Sequence, residues 1–328
     1  MSGRRRRIWC ETAPYAAIAA PGVLSALARR GIEIIVAAWP GPVDELAGLA
    51  ARARDAGVGV AIWPMLADAA GRWASADNAG TFSSFVRKLV ADLAARGVKP
   101  AEIAVDLEPP IDRMRKLLAG RLHELHAGSG EGIARARVAM AELLRALRGE
   151  GVRVSAAVVP LVLFDGTARP GGFERALGTP VSGIAWDHAS VMVYTSLVEG
   201  YARGLLGRRD VRPLLAASCR EAAFRFGAAA GASLGAVGTG ALGDEAVYRD
   251  VAELSDDVAI ARGAGIDDLT LFDLGGVLRR PPFEAWLDAF TEALPAPAPP
   301  RHTAKSLALV GAGVGLGRAL GAWGRLSG

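Results

Sequence analysis

The chain has no glutamine, a single asparagine (Asn78), four lysines, four histidines and two cysteines in 328 residues. Each shortage removes a class of function. Cys10 falls in an apolar strand pattern and Cys219 in a helical one, so a disulfide framework is excluded and two buried thiols are expected. Histidine-based metal chemistry lacks ligands. His123 and His126 are three apart on a helical pattern, not the i, i+4 spacing of a zincin. His188 precedes the sixth strand pattern, at the end of a barrel away from catalysis, and His302 sits in a proline-rich stretch. No Gly-x-Ser-x-Gly elbow occurs, and neither cysteine has a catalytic partner beside it. Aromatics make up 6% of the chain and do not alternate with arginine as a base-stacking groove requires. Net charge +4 therefore does not imply a nucleic-acid partner, because arginine carries nearly all of it as a compositional bias. The one basic cluster, Arg4 to Arg7, reads as a solvated tail. The start has no apolar leader run, since Glu11 interrupts Ile8-Trp9-Cys10, and a cytoplasmic chain is expected.

What is present is alternation. Eight short strand patterns, rich in Val, Ile and Ala on both faces, fall at Arg7–Glu11, Glu33–Trp39, Val58–Met65, Glu102–Glu108, Arg153–Pro160, Ala189–Tyr194, Leu234–Gly240 and Leu269–Asp273. Helical patterns lie between them, several closed by a glycine: Gly31, Gly57, Gly97, Gly151 and Gly265. This pattern predicts a (β/α)8 TIM barrel over residues 1–294. An open doubly wound sheet would bring a glycine-rich phosphate loop after the first strand, and Glu11-Thr-Ala-Pro14 is not one. Residues 109–131 and 161–188 interrupt the pattern, as loops that shape clefts do. Residues 295–303 form a stiff linker around Pro295-Ala-Pro-Ala-Pro-Pro300, and residues 304–328 an apolar, glycine-rich tail helix. Its Gly311, Gly315 and Gly313, Gly317, Gly321 recur every four residues, a spacing that permits close packing in a bilayer or with a second copy. The uncharged part of the tail is only about half the roughly 20 residues of a spanning helix, so a peripheral or barrel-docked helix is expected.

The densest chemistry lies in Ile103-Ala-Val-Asp106-Leu-Glu108-Pro-Pro110. Alternate residues of a strand share a face, about 6.5–7 Å apart, so Asp106 and Glu108 project together where the double proline stops the strand. Crowded carboxyls raise each other's proton affinity, which allows one to serve as an acid while the other stays ionised. The other strand ends of a barrel would add Glu11, Trp39, Trp63, Tyr194 and Asp273. Trp39 and Trp63, each followed by Pro on neighbouring strands, would wall a cleft and stack on sugar faces. Tyr194 would aim its phenol toward the barrel axis as a hydrogen-bond donor.

Two segments carry a resemblance. Asp106-x-Glu108 on strand four and Met192-Val-Tyr194 on strand six resemble the chitinase-like family 18 glycoside hydrolases and, more loosely, the family 25 lysozymes. The resemblance implies that Glu108 protonates the glycosidic oxygen. Asp106 would orient the substrate's own N-acetyl group, Tyr194 would hydrogen-bond it, and no cofactor would be needed. The substrate would be an oligo- or polysaccharide containing N-acetylhexosamine. The chain departs from that pattern at Ala101 and Ala104, where the family has its first two acids, at Thr195, where an aspartate follows the tyrosine, and at Phe272-Asp273, where a tryptophan stands. Two other readings use the same residues. One is a carbohydrate-binding barrel without catalysis. The other is a divalent-metal-dependent lyase, isomerase or phosphodiesterase built on Glu11, Asp106, Glu108 and Asp273.

Overall fold

The computed structural model describes residues 5–118, 121, 130–165, 171–292 and 298–326; side chains at 117, 118 and 323–326 fall outside that description. Arg4, His123, His126, the Gly166–Pro170 part of the fifth loop and Pro295–Pro297 also lie outside the described residues. Eight parallel strands close into a barrel in chain order: β1 (Arg6–Cys10), β2 (Ile32–Ala38), β3 (Val60–Pro64), β4 (Glu102–Leu107), β5 (Arg153–Val158), β6 (His188–Met192), β7 (Ala230–Gly235) and β8 (Leu269–Phe272). The seam is closed by pairing of β1 with β8, Arg6 opposite Leu269 and Ile8 opposite Leu271. This is the (β/α)8 TIM barrel that the alternation predicts.

The strands are apolar on both faces because one face packs the barrel interior and the other the helical ring. All five glycines that end helical patterns take positive φ, between 61° and 93°. A side chain there would cost strain, so these turns fix where each helix hands over to its strand.

The seventh strand differs from expectation. It runs over Ala230–Gly235 rather than Leu234–Gly240, and Ala236–Gly240 passes over the barrel top as a loop. Ala230-Gly-Ala-Ser has little β propensity, which hid it. Its small residues answer a packing demand instead. A Cβ on Gly231 would come within 2.3 Å of the His188 ring, so only glycine lets β7 pass that side chain.

The basic N-terminus is also corrected. Arg5, Arg6 and Arg7 are not a solvated tail, and Arg6 and Arg7 begin β1. Arg7 is fully buried at the barrel floor, 3.1 Å from Glu102 and 2.9 Å from Asp268, and it also meets His188. Arg5 bridges Glu33 and Glu102. Burial disfavours the charge on Glu102, but Arg7 and Arg5 outweigh it and hold this carboxyl below its usual range. Burial and the neighbouring arginines drive His188 well below its ordinary value, so it stays neutral. The floor is an ionic plug, sealed from the chemistry above.

Removing Arg7 leaves Glu102 and Asp268 short of their buried counter-charge. Arg7→Met is expected to destabilise the fold by about 3–5 kcal/mol, the range for breaking a buried ion pair, read as a drop in urea midpoint with an unchanged slope.

Candidate active site

The site is built at the opposite end of the barrel. Strand β4 ends at Leu107, and Pro109, which has no N–H to donate, prevents the ladder from continuing. Asp106 therefore occupies the last inward position of the strand and Glu108 the first position beyond it. Asp106 lies across from Ala157 of β5, whose small side chain leaves room for the carboxyl. Asp106 is almost wholly buried, whereas Glu108 keeps part of its surface open to a cavity of about 1400 Å³.

Burial, the Glu108 charge and the Glu11 charge push Asp106 well above the ordinary carboxyl range. Burial and Glu11 raise Glu108 to about 8, against the pull of Asp106 and Arg72. The two acids interact strongly enough to titrate as a pair. The pair thus keeps a proton at neutral pH. Glu11 of β1's end is buried beside them and raised to about 7, mainly by burial, with Arg72 opposing and Asp273 and Glu245 adding to the rise. Arg72 binds Glu11 at 3.1 Å and Asp68 at 2.8 Å, and lies over the rings of Trp39 and Trp73.

Indole rings line the cavity beside the acids. Trp9 of β1 and Trp63 of β3 meet edge to face at 4.6 Å, and Trp9 Nε1 donates to Ser233 at 3.2 Å. Trp63 Nε1 and Asp106 Oδ1 are buried with no protein partner among the described residues, and both residues line this cavity. A donor and an acceptor left unpaired at one wall suit a polar ligand. Tyr194 packs on Phe272 at 5.5 Å, and burial plus the nearby charges of Asp106, Glu108 and Glu11 push its phenol well above the ordinary value. It is a permanent neutral donor.

Of the residues expected from sequence, Asp106, Glu108, Tyr194, Trp63 and Glu11 line one cavity. Trp39 and Asp273 do not line it. Trp63 aligns with Ala37 of β2, so Trp39 stands two residues above it, 37% exposed at the rim beneath Arg72. The wall partner of Trp63 is Trp9 instead. Asp273 caps the helix Leu274–Arg279, accepting from Gly276 N at 2.8 Å, and reaches the site only through its charge. Sequence reasoning missed Trp9, Arg72, Trp73 and Glu245. Trp9 had a signal, since it alternates with Arg7 and Glu11 on one strand face. The other three sit in loops with no periodicity to betray them. Among the described residues no group of three or more His, Cys, Asp or Glu is arranged to hold a metal ion.

No protein-family model matches the sequence, and no curated protein matches it. Solved structures do. The PgaB (BpsB) glycoside hydrolase domain from Bordetella bronchiseptica superposes with TM-score 0.55 at 12% identity, over 89% of this chain and all of that one. The Rhizomucor miehei chitinase RmChi1 gives 0.51 at 12% identity, over 88% of this chain and 99% of that one. The Bacillus megaterium spore cortex-lytic enzyme SleL gives 0.50 at 12% identity, over 91% and 77%. The chain is thus a TIM barrel distantly similar in structure to carbohydrate-active barrels. At these identities the likeness is one of fold.

The raised Glu108 has a cost for folding. The unfolded chain ionises this group from near 4.5, the native one only near 8, so native stability falls as pH rises through that interval. Glu108→Gln removes the penalty. Its melting temperature is expected to exceed the wild type's by about 2–6 °C at pH 9 and to match it below pH 4.5.

Proposed function

We propose that the chain is a glycoside hydrolase acting on an N-acetylhexosamine-containing glycan by a substrate-assisted, retaining mechanism. The observation that carries this reading is the placement of Asp106 and Glu108 together at the end of β4, lining one cavity beside an indole wall and a neutral tyrosine. Similarity of fold to a chitinase and to a glycoside hydrolase domain supports it.

The proton leaves through Glu108 to the glycosidic oxygen as the C1–O bond breaks. The acetamido carbonyl oxygen of the same sugar attacks C1 and closes an oxazolinium ring. The negative charge left on the acid pair faces that cation, and Asp106 holds the acetamido N–H. Tyr194 donates to the acetamido oxygen until attack, which favours the reactive rotamer. Water, deprotonated by Glu108, then opens the ring at C1, so configuration is retained by two inversions. Trp63 and Trp9 supply flat apolar faces for the pyranose, and Trp63 Nε1 a donor to a hydroxyl.

Glu108→Gln is expected to lower kcat on N-acetylglucosamine oligomers by about 10²–10⁴-fold, the worth of general acid catalysis, with the fold intact by circular dichroism. An undiminished rate would refute the assignment, and oligomer binding without product release by the wild type would mark a binding barrel. The rate of the wild type is expected to fall as pH rises beyond about 8, where Glu108 loses its proton. A rate still climbing at pH 9 would contradict that role.

A further inference from the structure

The cavity that holds Asp106 and Glu108 does not end with the barrel. It continues between the helices Thr195–Tyr201 and Arg208–Phe226 and the C-terminal helix Ala304–Leu326. The tail is docked, with no helix of the described residues long and apolar enough to cross a membrane. Thr303 bonds Asp210 at 2.7 Å and Lys305 bonds the Leu205 carbonyl at 2.6 Å, tying the helix to the start of the 208–226 helix. The glycine spacing serves this docking. A Cβ on Gly313 would stand 3.0 Å from the Phe164 ring, and one on Gly317 2.8 Å from the Phe164 carbonyl.

The extension differs in chemistry from the floor of the cavity. Its walls are Leu197 and Val198, Leu214 and Leu215, and Val310 and Val314. The acids along it are engaged: Glu221 pairs with Arg225 at 2.8 Å, and Asp165 accepts from the backbone N–H groups of Phe173 and Glu174. Arg318 lies exposed at the rim. Apart from the Tyr201 and Ser218 hydroxyls this stretch offers sugar hydroxyls few partners for the water they would lose, a net cost. A hydrocarbon chain would gain with every methylene. At the mouth Val198, Leu309 and Leu316 are 41%, 40% and 47% exposed, an apolar lip through which such a chain can enter.

We infer that the substrate is an amphiphile, a sugar joined to a long aliphatic chain. The sugar sits at Asp106 and Glu108, and the chain lies in the channel under the C-terminal helix. This rests on the glycosidase reading for the fate of the sugar, but not for the seat of the chain. The cavity, about 1400 Å³, exceeds the roughly 300–1,000 Å³ of an ordinary small-molecule pocket, as a head-and-tail ligand requires.

Calorimetric titration of the full-length Glu108→Gln protein with butyl, octyl and dodecyl β-N-acetylglucosaminides, each below its aggregation concentration, tests the channel without turnover. Affinity is expected to rise about threefold per methylene, and at least about 30-fold from butyl to octyl. An affinity indifferent to chain length overturns the inference. Val314→Asp places a charge in the half-exposed channel wall and is expected to flatten the series to under about threefold at matched melting temperature. A series that stays steep in this variant overturns the channel as the seat of the chain. N-acyl glucosamines of the same lengths form a second arm, and the steeper arm identifies which end of the sugar bears the chain. Wild-type turnover separates the two proposals. Chain-dependent binding with no sugar released upholds the channel and defeats the glycosidase, whereas cleavage of plain oligomers with a flat alkyl series does the reverse.

Discussion

Everything at the functional end depends on two carboxyls forced into one poorly hydrated place. A strand that stops at Leu107 holds Asp106 inward, and the Pro109–Pro110 pair leaves Glu108 just beyond it. Burial is the largest cause of the rise in both acids, Glu11 adds to it in both, and Glu108 adds to it in Asp106. The proton they retain is the reagent of the proposed reaction. The ionic plug at the floor works in the opposite sense. There Arg7 and Arg5 hold Glu102 ionised. One barrel thus holds Glu102 below the ordinary carboxyl range at its floor and the Asp106–Glu108 pair above it at the other end.

The neighbourhood of the pair completes the chemistry by position more than by contact. Glu11 is held near neutrality by burial against the pull of Arg72, and Asp273 contributes charge from a helix cap outside the cavity. Thr195 lines the same cavity but spends its hydroxyl on a buried network with Asp257, Arg208 and Tyr248.

The C-terminal helix changes the shape of the problem. A bare barrel would present its acids in an open dish. Here Gly313 and Gly317 seat the helix against Phe164, and the cavity gains an aliphatic wall. Two of the glycines whose spacing permits bilayer packing, Gly313 and Gly317, serve docking within one chain.

Sequence by itself determined the barrel, through eight alternations and glycine stops, and the shared face of the acid pair, through the two-residue strand period. Both are local properties, written in neighbouring residues. It misplaced β7, where glycine and alanine answer to the His188 ring across the barrel rather than to strand propensity. It took Arg5–Arg7 for a tail, because their acidic partners lie far away in sequence, the nearest, Glu33, 28 residues from Arg5. It paired Trp39 with Trp63 by shared context, and only the register of β2 against β3 showed one ring at the rim and the other within. Tertiary structure alone decided the size of the proton affinities and the path of the channel, since burial and closure are set by which distant segments meet.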